Sequence, residues 1–382
     1  MKYRKLGKTG IKALILGFGA MRLPQNSTNP EDINITETKK MVEYAVEYGI
    51  NIYDTALLYH TNVRKKAGKS ETILGQLLKE HPEVYISTKM PSWNITSWEY
   101  FNKTLDYQLQ QLQKDTIELF FIHSIKDSYY ENIKETGLYE FIDRALEDGR
   151  IKHVGFSTHA SEETLDKIIK DYRKWEFALT QINYLDNTEN PGLNGLKKLH
   201  KLNMGTMIME PLRGGQLAQN QPKQIQEIFK QSKKQKTPID WAFNYLWNKK
   251  EVNCVLSGMN SLEQVKQNIK LTDKAEIGMI TQEEEKIYEK IKEEYEKLKN
   301  IPCTSCNYCM PCPHGVNIPK CFQEYNLDII SGNENEAIQY RFHLNQDRKA
   351  HNCTQCGACF YLCLQQINIP LQLKKVEEHF GE

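Results

Sequence analysis

Four side chains in the first third of the chain have the types needed to protonate a carbonyl oxygen. Asp54 closes the short apolar run Asn51-Ile-Tyr-Asp54, and Tyr59 follows five residues later. A phenol has an ordinary pKa of roughly 10, so it gives up a proton poorly at neutral pH unless a cation lies close. Lys89, at the end of Val84-Tyr-Ile-Ser-Thr-Lys89, is that cation one strand later. Phe120-Phe-Ile-His123 ends the next strand in an imidazole. Carboxylate, phenol, ammonium and imidazole on three consecutive strand ends predict a site that donates a proton to a carbonyl. Tyr53 alternates away from that site.

A second set is built from thiols. Only Cys254 precedes residue 300, and the other nine of the ten cysteines follow it. In a reducing compartment such crowding points to a metal site and not to a disulfide framework. Cys303, Cys306, Cys309 and Cys312 are spaced by two residues each; Cys353, Cys356, Cys359 and Cys363 repeat the pattern with three before the last. Val316-Asn-Ile-Pro319 recurs as Ile367-Asn-Ile-Pro370 at an offset of 51, so the tail is an internal duplication. Three thiolates at this spacing wrap the corner of a cubane, and the run resembles the 4Fe–4S motifs of bacterial ferredoxins. That resemblance implies two 4Fe–4S clusters with crossed ligation. Cys303, Cys306, Cys309 and Cys363 would hold one, and Cys353, Cys356, Cys359 and Cys312 the other. The chain departs from the ferredoxin pattern in the short spacing before Cys312 and in Leu364 where proline is usual, which leaves Cys321 as an alternative fourth ligand. Cys321 and Cys254 otherwise read as small buried apolar residues. Two Cys₄ zinc sites are the rival, disfavoured because zinc normally uses separated cysteine pairs.

Strands and helices must position these groups, and their sequence signals alternate. Residues 1–12 read as a hairpin turning at Gly7 to Gly10. Strand-like runs follow at 14–19, 51–55, 84–89, 117–122, 153–157, 177–183, 205–209 and 252–256, each succeeded by a helical stretch. The helices begin near Thr36, Ser70 (an N-cap candidate), residue 97, a segment ending at Gly149, Ser161, Gly195, residue 224 and Ser261. The strands are continuous apolar runs, as parallel strands covered on both faces should be. Eight such units over roughly 260 residues predict a (β/α)₈ TIM barrel. A doubly wound sheet is the rival, but Gly17-Phe-Gly19 lacks the third glycine of a dinucleotide loop. The expected domains are therefore a barrel over 1–280, a connecting helix over 281–301 and a small α-helical ferredoxin-like iron–sulfur domain over 302–382. A net charge of +1 gives no argument for nucleic acid. The absence of an apolar leader or a membrane-length run predicts a cytoplasmic protein.

Asp54-Thr-Ala-Leu-Leu-Tyr59, Lys89, His123 and Val154-Gly-Phe-Ser157, in that order, resemble the aldo/keto reductase family over about residues 1–275. The tail is similar to the double 4Fe–4S extension of one branch of that family. The resemblance implies Tyr59 as general acid to a carbonyl oxygen while a nicotinamide hydride attacks carbon. Lys89 would make Tyr59 more acidic, Asp54 would hold Lys89, and His123 would donate to the same oxygen. It further implies cofactor contacts from Ser157, Gln181, Arg213, Ser257, Gly258, Gln264 and Asn268. Met209 stands where an aromatic commonly covers the nicotinamide, and Thr158 where asparagine is frequent. No cation among Met259, Asn260 and Ser261 selects NADPH over NADH.

Arg64, Lys65 and Lys66, in the basic loop after Tyr59, are candidates to attract an anionic substrate or a cluster-bearing partner; a solvated loop is the alternative. Hydride transfer moves two electrons, whereas a 4Fe–4S cluster passes one. The expected function is accordingly an NAD(P)H-dependent reductase of a small aldehyde or ketone, with clusters that are structural or exchange electrons with a ferredoxin or flavodoxin. The alternatives are an iron–sulfur electron-transfer protein, or a flavin- or ferredoxin-linked reductase.

Overall fold

A computed structural model describes residues 2–381 apart from 64, 65, 189, 220, 299, 332–339, 342 and 343. Of the basic loop, Arg64 and Lys65 thus lie outside the described residues, and Lys66 is exposed. The chain divides into two compact units, residues 1–211 with 243–279, and residues 212–242 with 280–382.

The first unit is a closed barrel. Strands β1 (Tyr3–Lys5) and β2 (Lys12–Leu14) pair antiparallel as the expected hairpin. Eight parallel strands follow: β3 (Leu16–Gly19), β4 (Ile52–Asp54), β5 (Tyr85–Pro91), β6 (Ile117–Ile125), β7 (Ile151–Thr158), β8 (Phe177–Gln181), β9 (Gly205–Met209) and β10 (Cys254–Ser257). They close in sequence order, with β10 against β3. This is the TIM barrel read from the apolar runs.

The hairpin seals one end of the barrel. Leu6 is fully buried in one core cluster with Leu119, Phe121, Phe177, Met207 and Cys254. Phe121 and Phe177 meet edge to face at 4.7 Å, a favoured aromatic geometry. Gly7 has φ of 55°, and a Cβ there would strike the Gly205 backbone, so only glycine lets the turn lie this close. Filling that end directs chemistry to the other, where the strands point their carboxyl termini. Tyr53 faces outward as expected, with its hydroxyl 3.5 Å from the Val42 carbonyl oxygen.

Two local expectations are corrected. Ser70 does not cap its helix: Lys69 holds the cap position without a side-chain bond. The Ser70 hydroxyl instead accepts from Thr55 Oγ1 at 2.8 Å and lies 3.1 Å from the Ala20 carbonyl oxygen. The helical stretch read over 224–248 is two helices, Lys223–Phe229 and Pro238–Trp247. Pro238 cannot continue a helix from the preceding turn because it lacks the N–H that would close it.

The second unit has its own core. Val316, Phe322, Tyr340, Leu373, Val376 and Phe380 are buried together with Cys309, Cys321, Cys359 and Cys363. Helices Ile318–Ser331 and Ile369–Phe380 each begin at the isoleucine of one copy of the Asn-Ile-Pro repeat. Helix Gln282–Leu298 also belongs here, with Ile287, Tyr288, Ile291 and Tyr295 forming its buried stripe. Gln216 Nε2 donates to the Cys303 carbonyl at 2.6 Å, fixing the first cysteine loop to the segment after β9. Among the described residues no helix is long and apolar enough to cross a membrane.

Candidate active site and cysteine centre

Strand order brings Asp54, Lys89 and His123 together, and Tyr59 reaches them from the loop after β4. Asp54 ends β4, Lys89 lies near the end of β5 and His123 near the end of β6. Asp54 pairs in register with Ser87, and His123 with Pro91, so three adjacent strands carry the group. Lys89 is fully buried, and Asp54, Tyr59 and His123 are nearly so. The Lys89 ammonium lies 2.6 Å from both Asp54 oxygens and 2.6 Å from the Thr55 carbonyl oxygen, so its three protons each have an acceptor. Ser87 Oγ donates to Asp54 Oδ1 at 2.7 Å and holds the carboxylate in turn. Burial alone lowers the Lys89 pKa, while the Asp54 charge and hydrogen bonds act to keep it protonated.

Tyr59 stands over this pair. Lys89 Nζ is 5.0 Å from the Tyr59 ring centre, and the Tyr59 and His123 rings meet nearly edge-on at 6.2 Å. His123 is pushed well below its ordinary pKa by burial, then by the Lys89 charge and by His159. It is a neutral imidazole at physiological pH, able to donate one hydrogen bond.

The loop that carries Tyr59 is pinned at its far end. Gly68 N donates to the Leu57 carbonyl at 2.7 Å and Lys69 N to the His60 carbonyl at 3.2 Å. A Cβ on Gly68 would overlap the Tyr59 carbonyl oxygen. His60 anchors the near end, with its ring nitrogens 3.1 Å from Leu23 N and 2.9 Å from the Pro30 carbonyl oxygen.

The expected cofactor residues occupy several strand ends. Ser157 is on β7, where its Oγ accepts from Ser124 N at 2.6 Å. Gln181 closes β8 in register with Met209, which closes β9; Gln181 is buried and Met209 half-buried. Ser257 ends β10, and its Oγ accepts from Asn268 Nδ2 at 3.1 Å. Gly258 is exposed with Arg22 beside it. Gln264 Oε1 accepts from Asn260 N at 2.9 Å. Arg213 falls in the second unit, where its charge acts on Tyr295.

Residues not singled out from sequence also belong to the site. Trp93, after β5, lies 5.1 Å from the His123 ring. His159 directly follows Ser157-Thr158 and is 2% exposed, with no partner for Nδ1 among the described residues. Burial and the nearby Lys126 charge lower its pKa to about 3. A histidine immediately after a strand end was the available signal.

In the second unit the thiols gather around Cys309 and Cys359, and Cys359 also acts on Cys309. Cys309 is raised well above the usual thiol range by burial, then by the charges of Cys306, Cys303, Cys363 and Cys359. Cys359 is pushed up to about 11 by burial, then by Cys353, Cys312 and Cys356. Cys303, Cys306, Cys309 and Cys363 also line one cavity with apolar walls that include Ile318 and Phe322. Thiols that repel one another in an apolar cradle fit a cationic iron–sulfur core, which removes their protons on binding. Cys321, pushed up to about 12 by burial, feels no other cysteine, and its thiol faces the Arg348 carbonyl at 3.6 Å. Cys254 is fully buried in the barrel.

Comparison with known proteins agrees with both halves. Residues 15–285 match the aldo/keto reductase family, and residues 302–367 match the 4Fe-4S dicluster domain. The chain is 28% identical to a 6-dehydroglucose reductase of Novosphingobium aromaticivorans over 57% of its own length and 71% of the relative's. Among solved structures, an aldo-keto reductase of Bacillus halodurans in its holo form superimposes with a TM-score of 0.62 at 22% identity, covering 76% of this chain and 96% of that one. An aldo-keto reductase of Klebsiella pneumoniae in complex with NADPH gives a TM-score of 0.61 at 14% identity, covering 76% and 95%. An eight-stranded closed barrel matched over most of its length, followed by a duplicated cysteine module, makes this chain a member of the aldo/keto reductase family that carries a C-terminal 4Fe–4S dicluster domain.

Proposed function

We propose that the protein reduces an aldehyde or ketone to an alcohol, and runs the reverse oxidation, with NAD(P)H as cofactor and Tyr59 as the proton donor. One observation carries this reading: the Lys89 ammonium, held by Asp54, lies against the Tyr59 ring beside a neutral His123. The buried side chains of Ser157, Gln181 and Ser257 on the strands, with Asn268 from helix Leu262–Thr272, suit a carboxamide and a dinucleotide backbone, and Met209 offers a thioether face to an aromatic ring. A nicotinamide bound there supplies the hydride that the carbonyl carbon receives.

The chain's own groups handle the rest. Negative charge grows on the carbonyl oxygen as carbon is attacked, and donors aimed there lower the barrier. His123 points a hydrogen bond at that oxygen, and Tyr59 delivers its proton to it. Lys89 favours the phenolate that remains, while Asp54 and the Thr55 carbonyl keep Lys89 charged and oriented. Ser87 keeps Asp54 from turning away. In the reverse direction the Tyr59 phenolate takes the alcohol proton.

The eight cysteines would hold two 4Fe–4S clusters in the crossed arrangement, Cys303, Cys306, Cys309 with Cys363, and Cys353, Cys356, Cys359 with Cys312. The thiol groupings around Cys309 and Cys359 support that pairing. Such clusters supply single-electron transfer, which favours a ferredoxin or flavodoxin as an external partner in the cytoplasm. The deciding experiment is anaerobic purification of the intact holoprotein followed by NAD(P)H oxidation over a panel of aldehydes and ketones. Turnover abolished by Tyr59→Phe supports the reductase. Fast reduction of ferredoxin or flavodoxin with no carbonyl turnover supports an electron-transfer protein in its place.

A further inference from the structure

A second carboxyl group reaches the Lys89 neighbourhood from outside the barrel. Glu71, in the first turn of helix Ser70–Leu77, is 1% exposed. Its Oε1 accepts from Thr88 Oγ1 at 2.5 Å and from Gln108 Nε2 at 2.7 Å. Gln108 Nε2 also lies 3.1 Å from Thr88 Oγ1 and 3.2 Å from the Lys89 carbonyl oxygen. Side chains alternate along a strand, so Thr88 faces this helix layer while its neighbour Lys89 faces the site. The network therefore grips the strand at the residue that places the ammonium.

Its hydrogen-bond accounting does not close with Glu71 ionised. Among the described residues, Glu71 Oε2 and Gln108 Oε1 are both buried without a partner. Acceptors outnumber the protons that Thr88 and Gln108 can supply. A proton on Glu71 adds the missing donor, whereas a carboxylate leaves a charged oxygen unanswered in an apolar layer, which is costly. Burial accordingly raises the Glu71 pKa to about 7, with Thr88, Gln108 and the Lys89 charge opposing the rise. The titratable groups facing it are Lys89 from β5 and Tyr107 from helix Trp98–Leu112.

We propose that Glu71 is a positioning residue for the Tyr59–Lys89 pair, and that its protonation state tunes the acidity of the Tyr59 hydroxyl. As a neutral acid it leaves Asp54 to supply the carboxylate charge beside the ammonium, with the Thr55 carbonyl as its third acceptor. As a carboxylate it adds a second negative charge, which steadies the Lys89 ammonium and disfavours the Tyr59 phenolate. The inference rests on the reading of Tyr59 as proton donor, but its test needs no turnover.

The test is a titration of tyrosinate absorbance in the full-length holoprotein, with Tyr59 isolated by subtracting the same titration of Tyr59→Phe in each background. Glu71→Gln, which stays neutral, moves the Tyr59 titration down by about half a unit or more, the effect of one charge within roughly 20 Å at an effective dielectric near 20. Thr88→Val removes the shortest donor to Glu71 but not its charge, and because Glu71 with a pKa of about 7 is ionised where a phenol titrates, Tyr59 moves much less than in Glu71→Gln. An unchanged Tyr59 titration in a folded Glu71→Gln protein, or an equal shift in Thr88→Val, overturns the proposal. A shift present with no turnover of any carbonyl overturns the proton-donor reading alone. Turnover present with no shift overturns the coupling alone.

Discussion

Lys89 Nζ lies equidistant from the two oxygens of Asp54, at 2.6 Å each, with both side chains almost wholly out of water. A buried pair of this kind is costly to break because the survivor is left charged and unpaired. Asp54→Asn should therefore destabilise the barrel by about 3–5 kcal/mol. The double variant Asp54→Asn with Lys89→Met should recover much of that loss, because no lone ammonium remains. Thermal denaturation of the three proteins at one pH checks both statements.

Tyr59→Phe removes the proposed acid and leaves the ring where it packs against His123. General acid catalysis typically contributes 10²–10⁴-fold. The expected loss in kcat/KM for carbonyl reduction is of about that size, with cofactor affinity nearly unchanged. Cofactor fluorescence titration beside steady-state kinetics separates the two quantities.

Crossed ligation makes a pairing prediction within the second unit. Cys363→Ser should perturb the same electron paramagnetic resonance signal as Cys303→Ser, although sixty residues separate them. Cys312→Ser should match Cys353→Ser. Cys321→Ser should leave both signals unaltered, because its thiol faces the Arg348 carbonyl and not another cysteine.

His159 gives the barrel an acid-side weakness. Its folded pKa is about 3, against an ordinary value near 6.5. A depressed imidazole contributes stability that is intact above the unfolded pKa and drains as pH falls below it. Stability should fall by up to about 1.4 kcal/mol per pH unit below 6.5 through this residue alone. His159→Phe should reduce the slope of melting temperature against pH between 6.5 and 5, while leaving the slope near pH 8 unchanged.

Much of the barrel could be read from the chain because buried parallel strands impose continuous apolar runs, and Leu119 to Ile122 or Val154 to Phe156 carry that mark locally. Asp54, Lys89 and His123 were legible for the same reason: a strand end fixes a residue's place before any tertiary contact is known. Ser70 misled because its hydroxyl finds Thr55 and the Ala20 carbonyl, partners set by the closed barrel and not by the helix start. Glu71 carried little local signal, since what distinguishes it is burial among groups distant in sequence. The inclusion of residues 212–242 with the cysteine unit was equally hidden, resting on contacts such as Gln216 to Cys303 across 87 positions.

The clasp formed by Gly68 and Lys69 on Leu57 and His60 has a consequence for how this enzyme could diversify. With both ends of the loop tethered to the Tyr59 segment, the stretch between them can lengthen, shorten or change charge while the phenol keeps its station. Sequence change between those tethers, by drift or by engineering, then leaves the proposed acid in place. A side chain at position 68 would end that freedom by dislodging the tyrosine's own backbone.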